Sequence, residues 1–354
     1  MMQARDERSM VRPTDRKRRS RFVQALAFSH STSVSPAWRR VMTISVYALM
    51  WGLLTTLAPI WLPVAIVMGS FRRKHFIVLR LLAFFWVYFS VELLGLLAAG
   101  TIYLITPGNV PRRRDLFFHL SCRWGSTLFA WICRLLSLSA SIEGQEHVLP
   151  APVLVFIRHA SIIDTLLPVT FISKPNGLQL RYVLKRELLV DPCVDVAGHV
   201  WPNYFIDRGG SPAEEIAGVR RLAADLGDQG VLLYPEGTRF TEHKKKIALE
   251  RLQKQHPELV AIAQSYTHCL PPKTGGALAL LDDAPHTDVL IVAHRGLEGF
   301  AEIADLFSGT VVGKSVEIRI WRVSARTIPN TKAERERWLF DWWKRVDDFV
   351  SSRD

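Results

Sequence analysis

Residues 153–168 read VLVFIRHASIIDTLLP, and this stretch decides the fold of the chain. The apolar run Val153–Ile157 is short and rich in Val and Ile, which is typical of a buried strand. Ser161 is suited to cap a helix that begins just after it. We therefore expect His159 at the carboxyl end of a strand and Asp164 in the first turn of the next helix. Such strand ends are where open α/β sheets form their binding sites.

His159 and Asp164 are the residue types of an acid–base pair. Histidine titrates near neutral pH and can take a proton from an alcohol. A carboxylate bonded to the other ring nitrogen fixes the tautomer and stabilises the imidazolium, as in the serine-protease triad. The alternative is a surface histidine beside an aspartate that the helix dipole favours. Taken alone, the two residues favour this alternative.

Two later stretches repeat the plan of an apolar run, a turn and charged side chains. Residues 231–240 read VLLYPEGTRF, where proline and glycine force a turn. That turn carries Glu236, Gly237, Thr238 and Arg239. Residues 205–210 read FIDRGG and place Arg208 at the end of a third short strand.

His-x4-Asp, Asp-Arg after a short strand and Glu-Gly-Thr-Arg, in this order, resemble the glycerolipid acyltransferase family of lysophosphatidic acid acyltransferases. Leu270-Pro271-Pro272 stands where the family has its fourth, proline-containing block. The sequence PEGTRFT with the lysines at 244–246, and PPKTGG at 271–276, are closer to the lysophospholipid and lysocardiolipin subgroup. Arg158 departs from the family, in which many members carry Asn.

The resemblance implies transfer of a fatty acyl group from acyl-CoA or acyl carrier protein to the free hydroxyl of a lysophospholipid. Lysophosphatidic acid is the main acceptor expected, and the product is phosphatidic acid or another diacyl phospholipid. Lyso-ornithine lipid and lysocardiolipin are alternative acceptors, and a non-catalytic lipid-binding protein on the same fold is the alternative function. The intact histidine–aspartate pair favours the enzyme, since a binding protein has no use for a general base.

The same resemblance gives each site residue a role. His159 is the general base and Asp164 orients it. Arg208 and Arg239 are expected to bind the acceptor phosphate, because guanidinium forms paired hydrogen bonds with phosphate. Glu236 binds a glycerol hydroxyl or orients Arg239, while the remaining pocket residues are Gly237, Thr238 and Lys185. The alternatives are an Asp207–Arg208 ion pair and a Glu236–Arg239 pair within the turn.

The implied reaction needs no covalent intermediate, cofactor or metal. The alkoxide attacks the thioester directly, and the sequence has no Gly-x-Ser-x-Gly nucleophile motif. Nearby backbone N–H groups are expected to bind the oxyanion. The four cysteines show no Cys-x2-Cys spacing, which indicates ordinary thiols in a reducing compartment.

The basic charge of the chain is concentrated at its beginning. Of 45 Lys and Arg and 33 Asp and Glu, residues 1–40 hold ten and three, and residues 41–111 hold four and one. The remaining 31 basic and 29 acidic residues nearly balance. A nucleic-acid-binding core would carry its own basic face, so nucleic acid is not an expected partner. A basic front suits contact with anionic lipid.

Two apolar stretches follow the basic front. Residues 41–71 carry no charge and residues 81–105 carry only Glu92, so each is long enough to cross a bilayer. Pro59 and Pro63 are expected to bend the first stretch. If both stretches span, the positive-inside rule cannot place the basic tail and both basic turns in the cytoplasm. The hairpin therefore either spans, with the turn at 72–80 outside, or is re-entrant and never crosses. Both arrangements place the later domain in the cytoplasm, at the inner (cytoplasmic) membrane.

The sequence thus divides into four parts: a disordered basic tail (1–40), a membrane-embedded helical hairpin (41–111), an interfacial helix or linker (112–140) and an α/β acyltransferase domain (141–354). The helix predicted at 116–138 is either interfacial or a core helix of the next domain. Beyond it, strands are predicted at 139–142, 153–157, 181–184, 204–206, 231–234, 288–293 and 316–321. Helices are predicted at 164–172, 187–197, 212–226, 244–255 and 331–350. This alternation predicts a mixed, largely parallel sheet flanked by helices.

Overall fold

The computed structural model describes residues 35–72, 76–207, 210–300 and 312–352. Four helices come first: α1 (Pro36–Thr56), α2 (Ala58–Arg72), α3 (Ile77–Ile105) and α4 (Val110–Leu136). The strands are β1 (Ser139–Glu143), β2 (Val153–Ile157), β3 (Leu180–Lys185), β4 (Tyr204–Ile206), β5 (Gly230–Leu233), β6 (Asp288–Arg295) and β7 (Ser315–Val323). The helices between and after them are α5 (Lys174–Asn176), α6 (Pro192–Gly198), α7 (Pro212–Ala223), α8 (Glu242–Gln255), α9 (Val260–Gln264), α10 (Thr274–Asp283) and α11 (Lys332–Ser351).

The seven strands form one sheet in the order β1-β7-β6-β2-β5-β3-β4. The pairs β6–β2, β2–β5, β5–β3 and β3–β4 are parallel. Strand β7 runs antiparallel to β6 and parallel to β1. The prediction of a mixed, largely parallel sheet flanked by helices is confirmed, and each strand lies within two residues of its predicted bounds.

Alternation along the central strands divides the core into two layers. In β2, Leu154 and Phe156 pack with α7, α10 and α11 on one face of the sheet. Val153, Val155 and Ile157 pack on the other face with α4 and the start of α3. Side chains alternate along a strand, so His159, two residues after Ile157, is expected on the same face of the sheet as α4.

The helix predicted at 164–172 takes a different form. Residues Ile163–Leu166 form a 3-10 turn, and Pro168–Ser173 form a π-helix. Pro168 has no N–H to donate to the carbonyl of Asp164, so a regular α-helix cannot run through this point. The N–H of Leu167 bonds to that carbonyl instead, in the 3-10 pattern.

The helix predicted at 187–197 is also interrupted. A 3-10 turn at Arg186–Val190 precedes α6, which starts afresh at Pro192. The side chain of Asp191 accepts a hydrogen bond from Val194 N at 2.9 Å, so Asp191 caps the new helix. The single predicted helix is therefore wrong at this point, because a cap and a proline start a second one.

The first described helix begins inside the stretch predicted as a disordered tail. Ser35 caps α1 and Pro36 opens it. The guanidinium of Arg39 forms a bidentate ion pair with the buried carboxylate of Asp195 in α6, with hydrogen bonds of 3.0 and 2.9 Å. Arg40 lies 3.3 Å from the same carboxylate. Residues 36–40 are thus helical and bound to the α/β domain, while residues 1–34 lie outside the described part.

Helices α1 and α2 are bent by 67° at Leu57, just before Pro59, one of the two prolines expected to bend this stretch; Pro63 lies inside α2. Two tryptophans join α1 to α3: Trp51 Nε1 donates to Ser90 Oγ at 2.9 Å and Trp86 Nε1 donates to Thr55 Oγ1 at 3.0 Å. Among the described helices, α3 alone is long and apolar enough to cross a membrane, and the bent α1–α2 pair adds a second span only when counted as one segment.

The middle of α3 packs against the α/β domain. Glu92 is 0% exposed; it accepts hydrogen bonds from Trp124 Nε1 of α4 at 2.8 Å and from Cys193 N of α6 at 3.3 Å. Gly95 leaves room for Cys193, whose sulfur lies 2.9 Å from where a Cβ would stand. One face of α4 is itself buried. The core-helix alternative for α4 fits better than the interfacial one.

Candidate active site

His159 and Asp164 meet at the carboxyl end of β2. Nδ1 of His159 lies 3.0 Å from Asp164 Oδ1 and 3.2 Å from Oδ2. Asp164 is fully buried, whereas the His159 side chain keeps 11% of its surface exposed. Because Nδ1 faces the carboxylate, Nε2 is the nitrogen left for a substrate. The arrangement is that of a histidine base held by a carboxylate.

The turn after β2 supplies backbone hydrogen bonds that hold Asp164 in place. The N–H groups of Ala160 and Ser161 both donate to Asp164 Oδ2 at 2.7 Å. Ser161 Oγ in turn accepts from Ile163 N at 2.8 Å, the capping role predicted for it. Burial by itself raises the pKa of a carboxyl group, but the neighbouring His159 and His294 outweigh burial and hold the pKa of Asp164 well below its usual range.

Glu236 has partners that the sequence did not predict. It is buried; its Oε1 accepts from His159 N and its Oε2 from Leu270 N, both at 2.9 Å. Both oxygens thus hold backbone in place, and among the described residues Glu236 forms no ion pair with Arg239. Its contact with a glycerol hydroxyl stays a prediction. Burial raises the pKa of Glu236 to about 7, against the opposing effect of Arg158 and the two amide donors.

The turn after β5 brings Gly237, Thr238 and Arg239 to the same sheet edge. Gly237 has φ +66° and donates its N–H to Tyr234 O at 2.9 Å. A Cβ there would lie 3.0 Å from Lys273 Nζ, so glycine suits both the backbone and its neighbour. Thr238 and Arg239 are partly buried. Nη1 of Arg239 is buried without a hydrogen-bond partner, which leaves this nitrogen available to an anionic ligand.

The other predicted binding residues lie farther along the sheet. Lys185 ends β3, which β5 separates from β2, so it stands roughly 10 Å away across the sheet. Arg208 lies outside the described residues. Its neighbour Asp207 forms an ion pair with Arg186 at 2.8 Å, in which both side chains are about half exposed.

Three site residues were missed by sequence reasoning. The ring of Tyr234 lies 4.6 Å from that of His159. Arg158 is buried; it donates to His294 O at 2.7 Å, to Glu298 Oε1 at 2.8 Å and to His268 O at 2.9 Å. His294 lies 3.5 Å from Asp164. The sequence held one signal for His294: the pair His294-Arg295 follows an apolar run, as Arg158-His159 does in the reverse order.

The amides nearest the base are already occupied. Those of His159, Ala160 and Ser161 bond to Glu236 and Asp164. The oxyanion donors expected among the backbone N–H groups must therefore be others. Among the described residues, no set of three His, Cys, Asp or Glu side chains is arranged to hold a metal ion. The four cysteines are unpaired.

Comparison with known proteins shows which family this part of the chain is similar to. The family model named Acyltransferase matches residues 139–293, a range that includes His159, Asp164 and the Glu236–Arg239 turn. Residues 139–293 are therefore similar to the Acyltransferase family. The matched range ends one residue before His294.

Two curated proteins are similar to this chain. Mouse 1-acyl-sn-glycerol-3-phosphate acyltransferase gamma is 31% identical over 202 residues, which cover 51% of this chain and 50% of the relative. The human protein of the same name is 26% identical over 197 residues, with the same coverage. The chain therefore spans about half the length of the curated relatives it matches.

A solved structure resembles the chain more distantly. The crystal structure of the 1-acyl-sn-glycerophosphate (LPA) acyltransferase PlsC from Thermotoga maritima aligns with 73% of this chain and 97% of that one. The TM-score is 0.46 and the sequence identity is 16%.

Proposed function

We propose that this protein transfers a fatty acyl group from acyl-CoA or acyl carrier protein to the free hydroxyl of a lysophospholipid, with lysophosphatidic acid as the main acceptor. The observation that carries the proposal is the 3.0 Å contact between His159 Nδ1 and the buried Asp164. The mouse and human relatives are named as 1-acyl-sn-glycerol-3-phosphate acyltransferases, which supports this acceptor.

In the proposed reaction, Nε2 of His159 takes the proton of the acceptor hydroxyl as the oxygen attacks the thioester carbonyl. Asp164 stabilises the imidazolium that forms. Collapse of the tetrahedral intermediate expels the thiolate, which is a good leaving group, and His159 returns its proton to the sulfur. The steps use protein side chains and the thioester co-substrate, with no bound cofactor.

Arg239 is proposed to bind the acceptor phosphate. It lies on the turn after β5, the strand that pairs directly with β2. Its buried, unpartnered Nη1 supports this role, because a buried guanidinium N–H without an acceptor is unfavourable until a ligand supplies one. Arg208 is proposed as a second phosphate contact and Lys185 as a more distant one.

The N-terminal helices are proposed to hold the enzyme on the inner (cytoplasmic) membrane, with the catalytic domain in the cytoplasm. Large apolar side chains project from all three of them, among them Leu49, Leu53, Ile60, Val67, Leu97 and Leu104. The opposite side of α3 packs along the α/β domain, which supports a hairpin that holds the catalytic domain close to the membrane surface.

A product assay tests the proposed function. Purified protein in detergent is given acyl-CoA or acyl carrier protein thioester and a panel of lysophosphatidic acid, lysocardiolipin, lyso-ornithine lipid and other lysolipids, and products are identified by mass spectrometry. We expect a diacyl product from lysophosphatidic acid. His159→Ala should lose transfer. The matched control is His119→Ala, which removes an exposed histidine 3.7 Å from Asp115 and should keep transfer.

A second measurement tests the direct mechanism. Incubation with acyl thioester alone should leave the intact mass of the protein unchanged, since no covalent acyl-enzyme forms. A hydroxylamine-sensitive adduct would contradict direct attack. Formation of no diacyl product from any acceptor, by protein that is folded and monodisperse, would contradict the proposed function.

A further inference from the structure

His294 is a fully buried histidine that the reaction as described does not use. It is the last residue but one of β6, which pairs in parallel with β2. In this register Val292 stands opposite Ile157, so His294 stands opposite His159. Both histidines therefore leave the sheet edge on the face that carries α4. Asp164 lies between them.

Two oxygens surround one nitrogen of His294. Nε2 lies 3.1 Å from the carbonyl oxygen of Arg158 and 3.5 Å from Asp164 Oδ2. Oxygens with lone pairs on this side require a donor, so the ring carries its proton on Nε2. Nδ1 is buried without a hydrogen-bond partner. A neutral ring satisfies both observations, since a second N–H on Nδ1 would be a buried donor with no acceptor.

Arg158 holds His294 in place from the other side. Its guanidinium donates to His294 O at 2.7 Å while its own carbonyl faces His294 Nε2. The backbone adds a third contact, from Arg158 N to Val292 O at 3.0 Å. These three contacts join the ends of β2 and β6, and the imidazole is fixed against Asp164.

Each oxygen of Asp164 has a distinct set of neighbours. Oδ2 faces the amides of Ala160 and Ser161 and the ring of His294. Oδ1 is the oxygen nearest to His159. Two amides from one turn can restrain Oδ2 from one side only, whereas His294 approaches from a different strand. Together they fix the plane of the carboxylate and hence the direction in which Oδ1 meets His159.

We propose that His294 is a positioning residue for this acyltransferase, which holds the Asp164 carboxylate in the orientation that keeps His159 as the correct tautomer. The proposal rests on the proposed function. The positive end of the His294 N–H also offsets part of the negative charge of Asp164. His294 touches neither substrate, so its loss affects the chemical step and leaves substrate binding unchanged.

The pH dependence of the reaction reports this effect. Four groups besides His294 face or adjoin His159: Asp164, Tyr234, Glu236 and Arg158. Burial raises the pKa of Glu236 to about 7, so this group also contributes to the pH profile near neutrality, and the difference between variants is the quantity to compare. Without the His294 N–H, more of the Asp164 charge acts on His159 and favours its protonated form. The acidic limb of kcat/KM then moves to higher pH.

The experiment compares His294→Phe, which keeps the ring shape but removes the donor, with His294→Gln, which can place an N–H near the position of Nε2. His286→Phe is the control, since His286 is exposed and precedes β6. In full-length protein we expect His294→Phe to lower kcat about tenfold, the effect of one hydrogen bond to a charged group. Both KM values should stay within about twofold, and the acidic midpoint should rise by roughly half a pH unit. His294→Gln should recover most of both losses.

Three outcomes would overturn the proposal while wild-type enzyme remains active: full kcat in His294→Phe, an unshifted pH profile with reduced kcat, or equal loss in His294→Gln and His294→Phe. A reduced amount of folded enzyme lowers kcat but does not move the pH profile, so the profile separates positioning from stability. If His294→Phe does not fold, His294→Met against His294→Gln makes the same comparison at equal side-chain length. Wild-type protein without transfer activity would instead refute the proposed function.

Discussion

Replacing Asp164 with asparagine tests the site with a change of one atom. Oδ2 of Asp164 accepts from two amides at 2.7 Å. The asparagine oxygen must take this place, because its NH₂ group would leave both buried N–H groups without an acceptor, at a cost of about 1–3 kcal/mol each. The NH₂ group then points at His159 Nδ1. That nitrogen must become the acceptor, so the ring proton moves to Nε2.

With a proton on Nε2, His159 cannot receive another from the acceptor hydroxyl. General-base catalysis contributes roughly 10²–10⁴-fold, and the equivalent change in the serine-protease triad costs about 10⁴-fold with its geometry intact. We therefore expect Asp164→Asn to lower kcat by about 10²–10⁴-fold while the fold is kept. Raising the pH should not restore activity, since the tautomer is set by the amide and not by titration.

The assay measures initial rates of diacyl product formation together with thermal unfolding in detergent. Asp115→Asn is the matched control, since Asp115 is an exposed carboxylate beside His119. It should match wild-type protein in both measurements. If Asp164→Asn retains a kcat within about threefold of wild type, while His159→Ala is inactive, the tautomer argument is wrong.

Three further predictions follow from other contacts. Glu236→Gln leaves one acceptor oxygen for the two amides that Glu236 holds, so it should lower the free energy of unfolding by about 1–3 kcal/mol. An unchanged midpoint of thermal unfolding would contradict this. Arg239→Lys keeps the charge but loses the paired donors, so KM should rise for phosphate-bearing lysolipids and not for the acyl donor; the reverse pattern would assign Arg239 to the donor. Deleting residues 1–111 removes α3 and exposes the surface around Trp124 that α3 covers, so size-exclusion chromatography should show aggregation. A monodisperse, active fragment would refute this packing.

Much of the secondary structure, and the spacing that brings His159 and Asp164 together, are local properties of the sequence. Short runs, most of them apolar, that alternate with helical stretches predicted the positions of the seven described strands. His159 and Asp164 are five residues apart, and the Ser161 cap between them is formed by its own neighbours. The helix predictions at 164–172 and 187–197 overlooked two further local signals, the proline at 168 and the Asp191 cap before Pro192.

Contacts between distant parts of the chain were decided by the tertiary structure alone. Glu236 meets the amide of His159 from 77 residues away, and His294 meets the carbonyl of Arg158 from 136 residues away. Their positions depend on the strand order, which places β5 and β6 on either side of β2. Strand order follows from burial on both sheet faces and from the crossover helices, and no local pattern records it. The sequence by itself thus determined the strands and the local pairing of His159 with Asp164, whereas the sheet order determined which buried groups hold them.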